Sequence, residues 1–422
     1  MPQLITGARV YKKGKLENGD IAISQGRVIS HSPSTQTDGS RIVSLSGKLV
    51  IPGLVDVHVH LREPGFSYKE TIRTGTRAAA RGGYTAVCSM PNLHPAPDSP
   101  EHLLEQQKII DRDACVQVYP YATITKEQKG AGELVNFAAL APYAIAYSDD
   151  GRGVQSEETM AAAMRGIKGA GGLLAAHCED DSLLHGGCIH AGAYALAHGH
   201  PGICSESEWR QVERDIRLAK ETGCRYHVCH VSTKESIALI RRAKAEGVDI
   251  TCETAPHYLL LNDSHLQEDG RFKMNPPIRG QADQEALLQG LADGTIDIIA
   301  TDHAPHSAEE KSRGLAGSAM GIVGLECAFA ALYTGLVKTG IIPLERLLHT
   351  MTTAPRQRFG LPPVDLCEGS PADITVFDLN TSFTINPNQF VSMGRASPFA
   401  GMEAWGVCEL TIVGGETVWR RI

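Results

Sequence analysis

The stretch of sequence that decides the fold is residues 55–60, which read VDVHVH. Valine alternates with polar residues here, and this period of two predicts a β-strand. Side chains two positions apart in a strand point to the same face, so His58 and His60 are expected to project together. Imidazole nitrogen is a preferred zinc ligand, and two such side chains supply half of a tetrahedral shell. An isolated pair of this kind is a weak signal, so its meaning depends on the rest of the chain.

Seven further β-rich runs follow this strand, separated by helical stretches rich in Ala, Leu, Glu, Lys and Arg. Eight β-α units predict an α/β fold, the (β/α)₈ TIM-type barrel. A doubly wound open sheet is the alternative, but no G-x-G-x-x-G pattern follows the first strand to support it. The seven runs span residues 84–90, 115–124, 144–149, 173–178, 225–231, 249–253 and 297–302.

The two ends of the chain have a different pattern from the middle. Residues 20–29 read DIAISQGRVI, and residues 410–419 likewise alternate polar and apolar side chains around turn residues. Such alternation predicts antiparallel strands joined by tight hairpins. We therefore expect residues 1–50 and 366–422 to pair into one small β-sandwich, with a catalytic barrel over residues 51–365.

The composition excludes several classes of protein. The chain has 422 residues, 48 acidic and 40 basic side chains and a formal net charge of −8, with no basic cluster of the kind that binds nucleic acid. We expect no signal peptide and no membrane span, because neither pattern is present. The eleven cysteines include no C-x-x-C pair, so buried thiols in a reducing cytoplasm are expected. The seventeen histidines are more informative.

Further candidate metal ligands stand at the carboxyl ends of other predicted strands. Barrel enzymes build their sites on that rim. Taken singly, each residue could be a polar side chain at a strand end, but six on one rim are hard to explain as accidents. Four imidazoles and two carboxylates suffice for two metal ions, which together favour hydrolytic chemistry. The six residues are His58, His60, Asp150, His177, His230 and Asp302.

Four longer motifs resemble a known family. Residues 56–65 read DVHVHLREPG, 90–92 read MPN, 275–277 read NPP and 301–306 read TDHAPH. Together they are similar to motifs of the amidohydrolase superfamily, and more narrowly to class I dihydroorotases. The resemblance covers nearly the whole chain, including the β-rich ends. It implies that the six rim residues hold one or two zinc ions, with two favoured.

The fourth predicted strand departs from the pattern of many related cyclic amidases. Those enzymes bridge their metals with a carboxylated lysine, whereas residues 146–151 read AYSDDG. The resemblance is therefore to the dihydroorotases with an aspartate at this position. It makes Asp150 the expected bridging ligand, with Asp149 as the alternative.

The resemblance also implies contacts with the substrate. Dihydroorotate and N-carbamoyl-aspartate carry carboxylates, which suit a guanidinium fork, and asparagine amides can pair with the ureide edge. Residues 307–318 are expected to form a mobile loop that could close over the site. An aromatic residue is usual in the family where Met320 stands. The implied contact residues are His60, Arg62, Asn92, Asn275, His306 and the backbone of Met320 and Gly321.

The activity implied is that of a zinc-dependent dihydroorotase. In this hypothesis a hydroxide held between the metals attacks the ring amide, and Asp302 acts as the catalytic acid and base. The reverse direction cyclises N-carbamoyl-L-aspartate to (S)-dihydroorotate in pyrimidine synthesis. A hydantoinase or allantoinase is the nearest alternative, and a non-catalytic scaffold for aspartate carbamoyltransferase is a third. A homodimer and an association with that carbamoyltransferase are also compatible with the resemblance.

Overall fold

Residues 3–29 and 41–421 are described in a computed structural model of the chain. The strands are β1 (Gln3–Lys12), β2 (Lys15–Ser24), β3 (Arg27–Ile29), β4 (Arg41–Ser44), β5 (Leu49–Pro52), β6 (Leu54–Val59), β7 (Tyr84–Ser89), β8 (Gln117–Pro120), β9 (Leu173–Ala176), β10 (Ile189–His190), β11 (Gly202–Ile203), β12 (Arg225–Val228), β13 (Ile250–Thr254), β14 (Ile298–Ile299), β15 (Ile374–Thr384), β16 (Glu403–Val413) and β17 (Glu416–Arg420). The α-helices are α1 (Ile72–Gly82), α2 (Pro100–Asp113), α3 (Phe137–Leu140), α4 (Glu157–Gly169), α5 (Ala193–His198), α6 (Glu206–Thr222), α7 (Lys234–Ala245), α8 (Pro256–Leu260), α9 (Gln281–Asp293), α10 (Ala308–Lys311), α11 (Gly314–Gly317), α12 (Ala328–Leu332), α13 (Leu344–Met351) and α14 (Thr353–Phe359).

The parallel strands in the middle of the chain close into a barrel. Strands β6, β7 and β8 pair in that order, and β9, β12, β13 and β14 form a second parallel run. Tyr147 joins the two runs on one side, because it bridges to both Ala122 and Leu174. His303 joins them on the other side, where it bridges to Val59 and its carbonyl accepts a hydrogen bond from His60 N at 2.8 Å. The predicted barrel is confirmed.

Some barrel strands are shorter than predicted. The run at 144–149 contributes only the isolated bridges of Tyr147 to the ring. The predicted strands 225–231 and 297–302 end at Val228 and Ile299. The physical reason is that the backbone leaves the extended conformation near His230 and Asp302, which have left-handed φ angles of 35° and 48°. The chain therefore turns at the residues that carry polar side chains.

The barrel strands are buried on both faces, as expected for a parallel sheet covered by helices. Every residue of β6, β7 and β9 is buried. Helix α1 begins with a reciprocal capping box between Thr71 and Thr74, and Gly83 ends it with a φ of 92°. Helix α6 buries Val212, Leu218 and Ala219 against the ring. The rim residues are thus mounted on a rigid scaffold.

The two ends of the chain form one hydrogen-bonded sheet of eight strands. Its order is β17-β16-β15-β5-β1-β2-β3, and β4 pairs with β1. Strands β5 and β15 join the two ends in antiparallel register, with Val50 opposite Val376. Val28 on β3 and Ile412 on β16 belong to one apolar cluster, although their strands are near opposite ends of the strand order. The sheet therefore curves around this cluster. The predicted pairing of the two ends is confirmed, while residues 1–2, 30–40 and 422 lie outside the described residues.

Two expectations drawn from composition can be compared with the structure. All eleven cysteines are free thiols, and seven of them are buried. Within residues 3–29 and 41–421, every helix is too short or too polar to cross a membrane.

Candidate metal centre and substrate cavity

The carboxyl ends of the barrel strands meet at one rim, where the chain encloses a cavity of about 280 Å³. All six residues that the sequence suggests as metal ligands lie at this rim. Five of them line the cavity, and the sixth, His58, is completely buried beneath it. In chain order they are His58 and His60 at the end of β6, Asp150 after the bridge at Tyr147, His177 after β9, His230 after β12 and Asp302 after β14.

One half of the centre is formed by His58, His60 and Asp302. The Nε2 atom of His60 lies 3.0 Å from Asp302 Oδ1, and His58 Nε2 lies 3.5 Å from the same oxygen. One ligand atom from each of the three residues falls within 4.8 Å of the other two. This spacing suits a single cation held between two imidazoles and a carboxylate.

The other half is formed around Asp150. Its Oδ1 atom lies 3.2 Å from His230 Nε2 and 3.3 Å from His58 Nε2. His177 approaches through Nδ1, which is 3.7 Å from that oxygen and 2.9 Å from His230 Nε2. The second oxygen of Asp150 lies 3.6 Å from His60 Nε2 in the first half. Asp150 therefore stands between the two halves.

Charge at the centre is balanced between imidazoles and carboxylates. Burial alone would raise the pKa of Asp150, but His58 and hydrogen bonds from His177 and His230 hold that pKa well below its usual range. Burial likewise opposes ionisation of Asp302, and His58 and His60 reverse the effect and lower its pKa. Both carboxylates are therefore ionised at neutral pH, which is the form that binds a cation.

The donor set fits metal ions. The buried Nε2 of His58 and Nδ1 of His60 have no hydrogen-bond partner among residues 3–29 and 41–421. The facing ring nitrogens of His177 and His230 need a shared proton or a cation between them and Asp150. Histidine nitrogen with carboxylate oxygen is a common ligand combination for zinc.

Glu253 is a member of the site that sequence reasoning missed. Its Oε1 lies 2.6 Å from His58 Nδ1 and its Oε2 lies 3.1 Å from His227 Nε2, and it is completely buried. A carboxylate accepts hydrogen bonds, so Glu253 places the proton of His58 on Nδ1 and leaves Nε2 free to face a metal. The available signal was a carboxylate at the carboxyl end of the predicted strand 249–253.

Glu179 and Asn275 form a second pair at the cavity. The amide nitrogen of Asn275 donates to both oxygens of Glu179, at 2.9 and 3.0 Å, and Glu179 Oε2 lies 3.3 Å from His177 Nε2. Burial opposes ionisation of Glu179, but His177 lowers its pKa. Because an ionised carboxylate only accepts hydrogen bonds, it orients the Asn275 amide. The sequence pointed to Asn275 but not to Glu179.

Asn92 is held by the segment that carries Asp150. Its amide nitrogen donates to the Asp150 carbonyl at 2.6 Å, and Gln128 Nε2 donates to the same carbonyl at 2.6 Å. The Oδ1 atoms of Asn92 and Asn275 are buried and have no hydrogen-bond partner in the described part of the chain. In both side chains the amide nitrogen donates to a protein oxygen, and the amide oxygen remains available to accept a hydrogen bond. Gln128 carries no motif that would have revealed it.

Arg62 and His306 define the cationic end of the cavity. Arg62 Nε donates to the Pro305 carbonyl at 3.2 Å, and its NH2 lies 3.5 Å from His306 Nε2. Burial lowers the pKa of Arg62 to about 10, so the guanidinium keeps its charge at neutral pH. Burial and then Arg62 and Lys69 lower the pKa of His306 to about 3, so this imidazole is neutral.

Three residues at the rim have strained backbones. Arg62, His230 and Asp302 have φ angles of 63°, 35° and 48°. Non-glycine residues in this region cost about 1–3 kcal/mol each and cluster at functional sites. Here the turn directs each side chain to the cavity instead of along the strand.

Comparison with known proteins agrees with this geometry. A family model described as dihydro-orotase-like matches residues 47–236. A dihydroorotase of Bacillus cytotoxicus is 47% identical over 98% of this chain and 97% of its own length, and one of Bacillus cereus is 46% identical over the same shares. The chain belongs to the dihydroorotase family. Membership places it among cyclic amide hydrolases.

Solved structures show the same architecture. An L-hydantoinase from Arthrobacter aurescens has a TM-score of 0.88 and 26% identity, covering 99% of this chain and 96% of that one. A dihydropyrimidinase from Brevibacillus agri has a TM-score of 0.87 and 22% identity, covering 100% of this chain and 95% of that one. The fold of this dihydroorotase family member is therefore that of the cyclic amidases.

The two neighbouring aspartates of the family member have separate surroundings. Asp149 accepts hydrogen bonds from Ile124 N at 2.8 Å and from Thr125 Oγ1 at 2.5 Å, so it fastens the preceding loop. Asp150 faces His58 and His230. The geometry favours Asp150 over Asp149 for the ligand position.

The segment after His306 carries two short helices, α10 and α11, where a mobile loop was expected. Lys311 is buried, and its Nζ donates to the carbonyls of Lys273 and Ala319 at 3.0 and 2.7 Å. Met320 and Gly321 line the cavity, and two of their backbone groups are paired within the protein. His306 Nε2 lies 2.8 Å from the Met320 carbonyl, and Gly321 N donates to the Lys273 carbonyl at 3.1 Å.

Proposed function

We propose that the protein is a dihydroorotase, which interconverts N-carbamoyl-L-aspartate and (S)-dihydroorotate in pyrimidine synthesis. The observation that carries this proposal is the position of the cationic end beside the His and Asp cluster. Arg62 and His306 share one cavity with Asp150 and Asp302, so a carboxylate-bearing ring can be anchored next to the reacting groups. The names of relatives up to 47% identical support the same reaction.

We propose zinc as the metal, with one or two ions per chain and two favoured. His58, His60, Asp302 and Asp150 would hold one side, and Asp150, His177 and His230 the other. When bound, such ions supply Lewis acidity that activates a water and polarises the substrate carbonyl. The unpaired Nε2 of His58, which faces Asp150 and Asp302, supports the assignment.

Recognition of the substrate is assigned to the remaining cavity residues. The Arg62 guanidinium would take the carboxylate in a bidentate contact. Asn92 and Asn275, each with a free amide oxygen, would accept hydrogen bonds from the N–H groups of the ureide. His60, His306 and the backbone at Met320 and Gly321 complete the walls.

Asp302 is proposed as the catalytic acid and base. Its carboxylate is ionised, lies at the cavity and has Oδ1 3.0 Å from His60 Nε2. As a base it would take the proton of the attacking water, and as an acid it would deliver that proton to the departing amide nitrogen. In the direction of synthesis the same group moves the proton the opposite way.

The test measures turnover of dihydroorotate, hydantoin and allantoin together with zinc content on one preparation. We expect turnover of dihydroorotate. The Asp302→Asn variant should lose at least about a hundredfold in kcat, in line with a lost general base. Near wild-type turnover in a metal-loaded Asp302→Asn variant would contradict the role. Activity on hydantoin or allantoin alone would contradict the substrate.

A hydantoinase-type cyclic amidase is the second candidate. The TM-score of 0.88 to an L-hydantoinase favours it. Arg62 favours a substrate that carries a carboxylate, and the aspartate at position 150 favours the dihydroorotase subgroup. The same parallel assay separates the two candidates.

Assembly and location are further proposals. We propose a cytoplasmic protein with a division into a barrel over residues 51–365 and a smaller unit from residues 1–50 and 366–422. A homodimer and an association with aspartate carbamoyltransferase follow the family resemblance. Size-exclusion chromatography of the protein alone and mixed with that enzyme tests both, and a monomer that elutes separately would contradict them.

A further inference from the structure

Lys69 stands behind His306, away from the cavity. Its Nζ lies 3.2 Å from His306 Nδ1 and 2.9 Å from Glu310 Oε1. Glu310 belongs to α10, where its Oε2 accepts a hydrogen bond from Ser307 N at 2.9 Å. Lys69 therefore connects the segment after β6 with both the proposed substrate residue and the helix that follows it.

The contacts of His306 define its tautomer. A backbone carbonyl only accepts hydrogen bonds, so the 2.8 Å contact with the Met320 carbonyl requires a proton on Nε2. An ammonium group only donates, so the contact with Lys69 requires an unprotonated Nδ1. Both contacts demand the same neutral ring with its proton on Nε2, and both are shorter than the 3.5 Å approach of the Arg62 NH2 donor, which would suit the other tautomer.

Glu310 competes for the same nitrogen. Its Oε2 lies 3.4 Å from His306 Nδ1, and a carboxylate there would favour a proton on Nδ1. Lys69 neutralises that carboxylate and occupies Nδ1. The other charged groups that act on the ring are Arg62, at 3.5 Å from Nε2, and Lys311. Arg62 and Lys69 disfavour the doubly protonated ring, and Lys311 does so while it is protonated.

We propose that Lys69 is a positioning residue, which fixes His306 as a neutral Nε2–H donor and thereby makes the Arg62 end of the cavity selective for a carboxylate. This inference rests on the proposed function, because it assigns the carboxylate of the substrate to Arg62 and His306. The Nε2 proton, which faces the Met320 carbonyl in this structure, is shared with a carboxylate oxygen when the substrate carboxylate lies beside it. An Nε2 that carries a lone pair would repel the same oxygen.

The test uses substitutions at both neighbours of His306 Nδ1. Lys69→Met keeps the length of the side chain and removes the charge, so Glu310 draws the proton to Nδ1. We expect KM for dihydroorotate to rise about tenfold to a hundredfold, the size of one lost hydrogen bond to a charged group, while kcat changes less than about threefold. Lys69→Arg should keep KM near the wild-type value.

Glu310→Gln is the matched control, because it leaves Lys69 against His306. We expect its KM to stay within about threefold of wild type. The double variant Lys69→Met with Glu310→Gln should recover most of the lost affinity, since the glutamine amide can donate to Nδ1. The Lys69→Met effect should also vanish in a His306→Gln background, as residues that act through one another are not additive.

Two readouts keep this inference separate from the proposed function. Long-range ¹H–¹⁵N NMR of histidine-labelled protein reports the tautomer of His306 without substrate, with the resonance assigned by its loss in His306→Gln. We expect the Nε2–H form in the wild type and a shift towards Nδ1–H in Lys69→Met. An unchanged tautomer, or a Lys69→Met effect that persists in His306→Gln, would overturn the inference. A wild-type protein that fails to turn over dihydroorotate would overturn the proposed function instead.

Discussion

Among single residues, Glu253 decides which nitrogen of His58 can face a metal. It is buried, it lies 2.6 Å from His58 Nδ1, and it is not among the described residues that line the substrate cavity. A carboxylate behind a ligating histidine fixes the tautomer and raises the basicity of the ring. Its effect should therefore appear in metal affinity before it appears in the chemical step.

We predict that Glu253→Gln weakens zinc binding about tenfold to a hundredfold, the usual cost of losing such a partner. The amide can pair with His58 in either tautomer, so Nε2 is no longer kept free. Competition with a chromophoric chelator measures the zinc affinity. Glu268→Gln is a matched control, because Glu268 likewise pairs with a histidine, His200 at 2.8 Å, but that histidine is not a proposed ligand. Equal zinc affinity in the two variants would refute the role of Glu253.

Single residues also show what the sequence can reveal. Asp150, His177 and His230 were identifiable because each follows a predicted strand, and strand ends of a barrel share one rim. Lys69 and Glu179 were not, because their partners His306 and Asn275 are remote in sequence and the contacts exist only after folding. Local patterns locate ligands, whereas the groups that orient them depend on tertiary geometry.

At the scale of elements, the segment carrying α10 and α11 is fastened by a buried lysine. Burial and then Lys273 lower the pKa of Lys311 to about 7, from 10.5. Between these two pH values the unfolded chain binds a proton that the folded chain does not. The free energy of unfolding therefore rises with pH across this window. Below about pH 7 the lysine is protonated in both states and its contribution stays constant.

We predict that Lys311→Met removes this contribution. The free energy of unfolding of wild type should rise between about pH 7 and about pH 9.5 through Lys311, and methionine does not titrate. The variant should therefore be more stable relative to wild type at about pH 7 than at about pH 9.5. Urea denaturation at the two pH values measures the difference. Lys129→Met, at an exposed lysine, serves as the control. A difference that is the same at both pH values would contradict the prediction.

Elements were easier to identify than to delimit. The alternation in residues 55–60 located β6 almost to the residue, since Leu54–Val59 is observed. The eighth run was predicted over 297–302 and is observed only at Ile298–Ile299. The difference arises because the chain turns at Asp302, whose side chain contacts His60 at the end of the neighbouring strand β6. A local sequence period cannot encode such a contact.

For the whole molecule, the barrel could be predicted from the order of its units, and the pairing of the chain ends from their shared alternation. The strand order of the terminal sheet could not. It places β5 between β1 and β15, so that strands from the two ends share one register. Register follows from which apolar faces meet, and that depends on the barrel holding both ends together.

Because its ligands come from the whole ring, the metal centre should affect the stability of the entire fold. The six proposed ligands come from five positions around the ring, between β6 and β14. A metal that binds only the folded chain stabilises it by about 4 kcal/mol when its concentration is about a thousand times its dissociation constant. We predict that a chelator lowers the melting temperature and that zinc restores it. Differential scanning fluorimetry measures the shift. An Asp150→Ala variant should respond less, since Asp150 stands between the two halves. If the chelator leaves the melting temperature of the wild type unchanged, these strands are not joined through a bound ion.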